Sequence, residues 1–143
     1  MSGMVKNAYG HKSGAEAVEF YDKWADSYDE ELGSLGYITP KRCAEALIDL
    51  GVDSALPVLD IGCGTGVSGA ALRNAGFSIV DGYDPSSEML ERAKTKNIYR
   101  SLIEIDPLAP LEAPEDAYAN AVAAGVLSPS LAPPEALDQI IAF

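Results

Sequence analysis

The residues with chemistry to offer are one carboxylate, three alternating glycines and a second carboxylate further on. They are Asp60-x-Gly62-x-Gly64-x-Gly66 and then Asp84, about twenty residues after the loop. Alternating glycines admit positive φ and let the backbone approach a ligand with no Cβ in the way. A helix starting directly after such a loop offers unpaired N–H groups to the same ligand. A carboxylate at the end of the next strand can accept two hydrogen bonds from ribose hydroxyls. Loop and acid together predict a nucleoside-binding constellation at the carboxyl ends of parallel strands.

Two cofactor classes compete for it. Gly64-Thr65-Gly66-Val67-Ser68-Gly69 matches G-x-G-x-x-G, the dinucleotide fingerprint. Asp60 argues the other way, because a pyrophosphate at the loop would bring two negative charges against it. S-adenosylmethionine has no phosphate and carries an ammonium and a sulfonium, so an acid beside the loop favours it. The whole chain leans the same way: Lys plus Arg is 10, Asp plus Glu is 22, and the net charge is −12. That balance disfavours nucleic acid and an anionic membrane surface as partners.

The elements that must position these residues alternate. Residues 13–33 read as an acidic helix striped by Val18, Tyr21, Trp24 and Tyr28, with Ser13 and Glu16 as a capping box and Gly33 and Gly36 at its end. A second helix begins after Thr39 with Pro40 in its first turn; Cys43, Ala44, Leu47, Ile48 and Leu50 form its apolar face, and Gly51 stops it. Residues 56–61 read as a buried strand that breaks into the glycine loop. A helix follows over 67–75, then a strand over 77–83 ending at Asp84. Asp84 or Ser86 caps the next helix. Strands are expected over 99–105 and 118–127, and Pro133-Pro134-Glu135 opens a last helix. Short apolar strands alternating with helices predict an α/β fold with a parallel sheet covered on both faces.

Val58-Leu59-Asp60-Ile61-Gly62-Cys63-Gly64-Thr65-Gly66 resembles the first signature of the class I S-adenosylmethionine-dependent methyltransferases. Gly82-Tyr83-Asp84-Pro85-Ser86-Ser87-Glu88-Met89-Leu90 resembles the second, and the stretch from Phe20 to Asp29 is similar to the N-terminal helix of many small-molecule members. The resemblance implies a Rossmann-like parallel sheet with helices on both faces. It implies that Gly62, Gly64 and Gly66 face the methionine part of the cofactor, with Asp60 holding the loop and the amino group. Asp84 would hold the ribose, Tyr83 and Met89 would flank the adenine, and Asp106 would lie near the adenine amino group. Tyr21 or Tyr28 would close over the cofactor, and Leu127 and Ser128 would lie near the methyl group. The implied partner is a small-molecule methyl acceptor.

The fourth strand departs from the family pattern, with Tyr118-Ala119 where an aromatic-Asp pair is usual. The family also continues past residue 143 with a further strand and an antiparallel hairpin. The expectation is therefore a C-terminally truncated fold, with 1–12 a flexible terminus and 13–143 the methyltransferase domain. The fourth strand would then be an exposed edge open to self-association. The alternatives are a non-catalytic S-adenosylmethionine-binding fragment or pseudoenzyme, and an NAD-dependent oxidoreductase.

Simpler roles stand beside these. Asp60 and Asp84 could cap helices or turns, Tyr21, Trp24 and Tyr28 could only pack, and Asp106 before Pro107 could only shape a turn. His11 reads as a solvated side chain and Cys63 as a small buried one. Cys43 and Cys63 are the only cysteines, too few for a disulfide framework, and lone His11 lacks neighbours at metal-ligand spacing. No secretory signal or membrane span is visible, so a cytoplasmic location is the default.

Overall fold

The computed structural model describes residues 4–8, 14–114, 116–127, 132 and 135–141. Four strands form one parallel sheet: β1 (Val58–Ile61), β2 (Val80–Asp84), β3 (Ser101–Glu104) and β4 (Asn120–Val122). Their spatial order is β3-β2-β1-β4. The chain winds outward from β1 through β2 to β3, then returns to the other side of β1. The crevice for a ligand in such a sheet opens at this reversal, outside the carboxyl ends of β1 and β4.

Alternation along the strands sorts two cores. On one face Val58, Val80 and Val122 pack with Ala44 and Leu47 of α3 (Thr39–Asp49) and Leu72 of α4 (Val67–Asn74). Phe77, expected in a strand, instead fills this core from the turn before β2. On the other face Leu59, Ile61 and Tyr83 pack with Tyr118, Leu111 and Ile140 of α6 (Glu135–Ile141). A parallel sheet buried on both sides explains why β1 and β2 are buried at every position.

The long first helix is two helices, α1 (Gly14–Trp24) and α2 (Tyr28–Ser34). The chain is tied to the domain on either side of the turn at 25–27. Asp26 pairs with Arg92 on α5 (Ser87–Thr95), and Asp29 accepts from Thr65 in the loop and from Lys96 after α5. Behind the break Trp24 is buried among Phe20, Tyr21 and Tyr28, with ring centroids 4.7–5.7 Å from it.

Other boundaries also shifted. Thr39, Pro40 and Gly51 start and stop α3 as read, but Ile48 and Leu50 lie exposed off its buried face. The terminus expected to be loose has Met4–Asn7 in a 3-10 turn, with Ala8 buried against the Trp24 cluster and the Met4 N–H donating to Glu31 at 3.1 Å. Ser13, His11, Ser128 and the prolines at 133 and 134 lie outside the described residues.

Gly82 in the middle of β2 allows the loop after β1 to lie against the sheet. A Cβ there would come within 2.8 Å of both Cys63 Sγ and Leu102 Cδ2. Gly82→Ala is therefore expected to destabilise the fold by about 1–3 kcal/mol through overpacking. Urea unfolding checks this; an unchanged midpoint would show that Cys63 and Leu102 yield freely.

Candidate functional site

At the end of β1 the chain turns sharply, and the N–H groups of Gly62 and Cys63 both donate to the Tyr83 carbonyl, at 2.7 and 3.0 Å. Gly62 takes φ +65°, and a Cβ on it would stand 2.2 Å from Val126 Cγ2. Gly66, the residue before α4, takes φ +92° and converts the loop into a helix start. Both positions need glycine, one for conformation and close approach, the other for conformation.

Asp84 locks this loop to β2. Its Oδ2 accepts from the Gly64 N–H at 2.8 Å and its Oδ1 from the Ser86 N–H at 2.9 Å. Ser86 then caps α5, its Oγ accepting from the Met89 N–H at 3.1 Å. The same hydroxyl donates to Asp22 on α1, which fastens the N-terminal helices over the sheet end.

A cleft of about 660 Å³, part of it open to solvent, lies between these elements. Its floor is Gly62, Gly64, Asp84, Pro85, Ser86 and Met89; Ala17, Val18, Tyr21 and Tyr28 come from the N-terminal helices; and Ala124, Gly125 and Val126 come from the turn after β4. Among the described residues, Asp84 is the only charged one lining it.

The structure thus brings Tyr21, Tyr28, Gly62, Gly64, Asp84 and Met89 together, and leaves five expected residues outside. Asp60 is fully buried behind the loop; its Oδ2 accepts from Ser68 Oγ and Tyr99 Oη, each at 2.7 Å, and its Oδ1 has no partner. Gly66 does not reach the cleft, because its work is to start α4. Tyr83 points to the opposite face, since strand alternation places it with Leu59 and Ile61; Pro85 takes the place beside Met89. Asp106 is exposed, accepts from the Leu108 N–H at 2.8 Å as a turn residue, and borders a neighbouring apolar cavity. Leu127 is exposed, and Val126 faces the cleft in its stead.

Sequence reasoning missed Ala17, Pro85, Pro107 and the turn at 124–126 as lining residues. Ala17 and Val18 stand three to four positions before Tyr21, so the helical stripe pointed to them. Nothing local marked the turn after β4, whose place depends on a long-range strand pairing. Tyr99 was also missed as a site residue. A Cβ on Gly69 would lie 2.3 Å from its hydroxyl, so the last glycine of the apparent dinucleotide fingerprint makes room for this ring.

Electrostatics follow from burial. Desolvation pushes Asp60 up to about 7, opposed by its bonds from Ser68 and Tyr99 and helped by the Asp84 charge. Desolvation pushes Asp84 up to about 6 against its two backbone bonds, with Asp22 adding repulsion. Burial raises the Tyr28 hydroxyl well above its ordinary range, with Tyr21, Tyr37, Asp84 and Asp29 adding to it. Each Asp84 oxygen has one backbone donor and keeps capacity for another. A cleft with acceptors, open backbone and, among the described residues, no lining cation fits a cationic nucleoside such as S-adenosylmethionine.

Comparison with known proteins agrees. Residues 58–142 match the family described as a methyltransferase domain. The chain belongs to this family and is a class I S-adenosylmethionine-dependent methyltransferase domain. It is 33% identical over 140 residues to human methyltransferase-like protein 27, covering 95% of this chain and 57% of that protein. Its fold is similar to that of a protein assigned as an S-adenosyl-L-methionine-dependent methyltransferase from Methanococcus maripaludis, with a TM-score of 0.59, 23% identity, and coverage of 73% of this chain and 50% of that one. It is also similar in fold to the plantazolicin methyltransferase BpumL in complex with SAH (TM-score 0.54, 19% identity, 97% and 57% coverage). The chain therefore spans about half the length of these relatives. Among the described residues no helix is long and apolar enough to cross a membrane, and no His/Cys/Asp/Glu group could hold a metal ion.

The raised carboxylates predict a pH effect on stability. Asp60 and Asp84 titrate near 7 and 6 when folded and near 4 when unfolded. The folded state therefore binds more protons between these values, so stability is greatest below about 4 from this source and is lost as pH rises through 6 to 7. Asp81, held below the usual carboxylate range, acts only at lower pH. The ligand-free protein is expected to gain about 5 °C or more in Tm from pH 8 to pH 5. Asp60→Asn should flatten the part of that curve near pH 7. Thermal melts at fixed ionic strength measure both, and a Tm that falls on acidification contradicts the assignment.

Proposed function

We propose that this chain binds S-adenosylmethionine in the cleft beneath Tyr21 and Tyr28 and serves methyl transfer to a small molecule. The observation that carries the reading is Asp84: a buried carboxylate at the end of β2, fixed by the N–H groups of Gly64 and Ser86, in a cleft with no other charged lining among the described residues. Its free acceptor capacity suits a ribose diol. Gly62 and Gly64 leave backbone open to the amino-acid end of the cofactor, and Pro85 and Met89 offer apolar contact to the base.

When bound, the cofactor supplies an electrophilic methyl group on a sulfonium. The protein's part is to orient and to exclude water. Tyr21 and Tyr28 wall the cleft from the N-terminal side, and the turn at 124–126 bounds it opposite. Holding two reactants in line in a dry site removes much of the barrier to such a transfer. No lining side chain is placed as a general base; an amine or thiolate acceptor needs none beyond its own deprotonation. The acidic net charge supports a small molecule over a nucleic acid as acceptor.

Calorimetric titration with S-adenosylhomocysteine tests the binding, and transfer of labelled methyl to a panel of small acceptors tests the reaction. A well-folded protein that takes up no ligand would sink the reading. Asp84→Ala is expected to weaken S-adenosylhomocysteine binding by about 1.5–3 kcal/mol, the loss of hydrogen bonds to a charged acceptor. Unchanged affinity would remove Asp84 from its role.

A further inference from the structure

Tyr99 sits between α5 and β3, and its ring fills a slot that three glycines open. Cβ atoms on Gly66, Gly69 and Gly82 would stand 3.1, 2.3 and 3.0 Å from the nearest Tyr99 atoms. Three elements therefore give up a side chain to admit one ring: the loop, α4 and β2. The hydroxyl at its tip donates to Asp60 Oδ2 at 2.7 Å and accepts from the Gly69 N–H at 3.2 Å. That N–H belongs to the first turn of α4, where amides have no partner within the helix. Ser68, on the same turn, donates to the same oxygen of Asp60 at 2.7 Å.

Asp60 does not line the cleft, so it acts on a ligand only through what it holds. It holds the start of α4, directly beyond Gly66. We infer that Tyr99 is a positioning residue of the cofactor site: its hydroxyl couples the Asp60 carboxylate to the first turn of α4 and so sets the shape of the loop 62–66. The groups facing Asp60 are Ser68 on α4, Tyr99, Cys63 in the loop, Asp84 on β2 and Cys43 on α3. None is a cation. Asp60 therefore relies on the two hydroxyl donors to keep its charge, and Tyr99 is the one that also reaches the backbone of α4. The inference rests on the cofactor reading above only for its ligand-binding arm.

Tyr99→Phe keeps the ring in its slot and removes the hydroxyl. Without ligand, hydrogen exchange at the Gly69 amide is expected to quicken about tenfold, because that N–H loses its acceptor. S-adenosylhomocysteine affinity at neutral pH should fall about tenfold. Affinity for this zwitterion weakens as the pH falls, because a protonated Asp60 holds the two hydroxyls, and so the start of α4, less firmly. In Tyr99→Phe the midpoint of that decline should move to higher pH, since the charged form of Asp60 has lost a donor. Ser68→Ala removes the other donor to Oδ2 and should move the midpoint the same way while leaving the Tyr99–Gly69 bond. A ring that only packs leaves the exchange rate and the midpoint where they are. Unchanged Gly69 exchange overturns the inference, and so does unchanged affinity where the parent protein binds. If the parent protein takes up no S-adenosylhomocysteine, the cofactor reading fails and Gly69 exchange alone decides for Tyr99.

Discussion

Asp60 and Asp84 stand at the ends of adjacent central strands, both buried, and among the described residues neither has a cation beside it. Burying an ionised carboxylate without a partner is so unfavourable that the surroundings must supply hydrogen bonds or the group must take a proton. The local structure is the set of donors that this requires. Gly64 and Ser86 offer backbone N–H groups to Asp84, and Ser68 and Tyr99 offer hydroxyls to Asp60. Each donor fixes a piece of the site: the loop, the start of α5, the start of α4. The loop is held between the two acids, bonded directly to Asp84 through Gly64 and joined to Asp60 through Ser68 at the start of α4.

The N-terminal helices answer to the same constraint from outside. Three of their acids are tied to the sheet domain, although Asp22 still adds repulsion to Asp84. Asp22 accepts from Ser86, Asp26 pairs with Arg92, and Asp29 meets Thr65 and Lys96. Exposed pairs of this kind contribute little stability singly. Their placement matters more. Two of the three reach residues next to the carboxylate anchors, so the cover is registered to the loop and brings Tyr21 and Tyr28 over it.

The order of elements was legible because local signals carry it: Pro40 starts a helix, Ser86 caps one, and Gly51 and Gly76 stop two. Asp84 and the glycines at 62 and 64 were legible as site residues because a strand-to-helix turn fixes their direction. Tyr83 was misplaced because a motif read as a string ignores that neighbours on a strand face opposite ways. The break at 25–27 escaped because helical periodicity runs through it, and the partners that hold Asp26 and Asp29 lie some 36 to 67 residues away. Tyr99 escaped for the same reason. Its three glycines are scattered over the loop, α4 and β2, and nothing in their spacing names the ring they admit.

Asp81, one position along β2 from Gly82, shows what the structure does with a buried acid that has only structural work. Burial alone would raise it, but Arg100, Ser101 and Tyr118 all donate to it, and with the guanidinium charge they hold it below the ordinary carboxylate range. The same sheet could have given Asp60 and Asp84 an arginine and did not. A structural account of those two acids leaves that omission without a reason, since a paired carboxylate is the more stable arrangement once it is buried. The proposed ligand, which brings its own positive charge, would supply one for Asp84, the acid that lines the cleft. An arginine at the loop would compete with an ammonium or sulfonium for the same field, whereas hydroxyl and amide donors hold the acids in place without cancelling their charge. The contrast with Asp81 separates an acid neutralised by a guanidinium from two held by neutral donors.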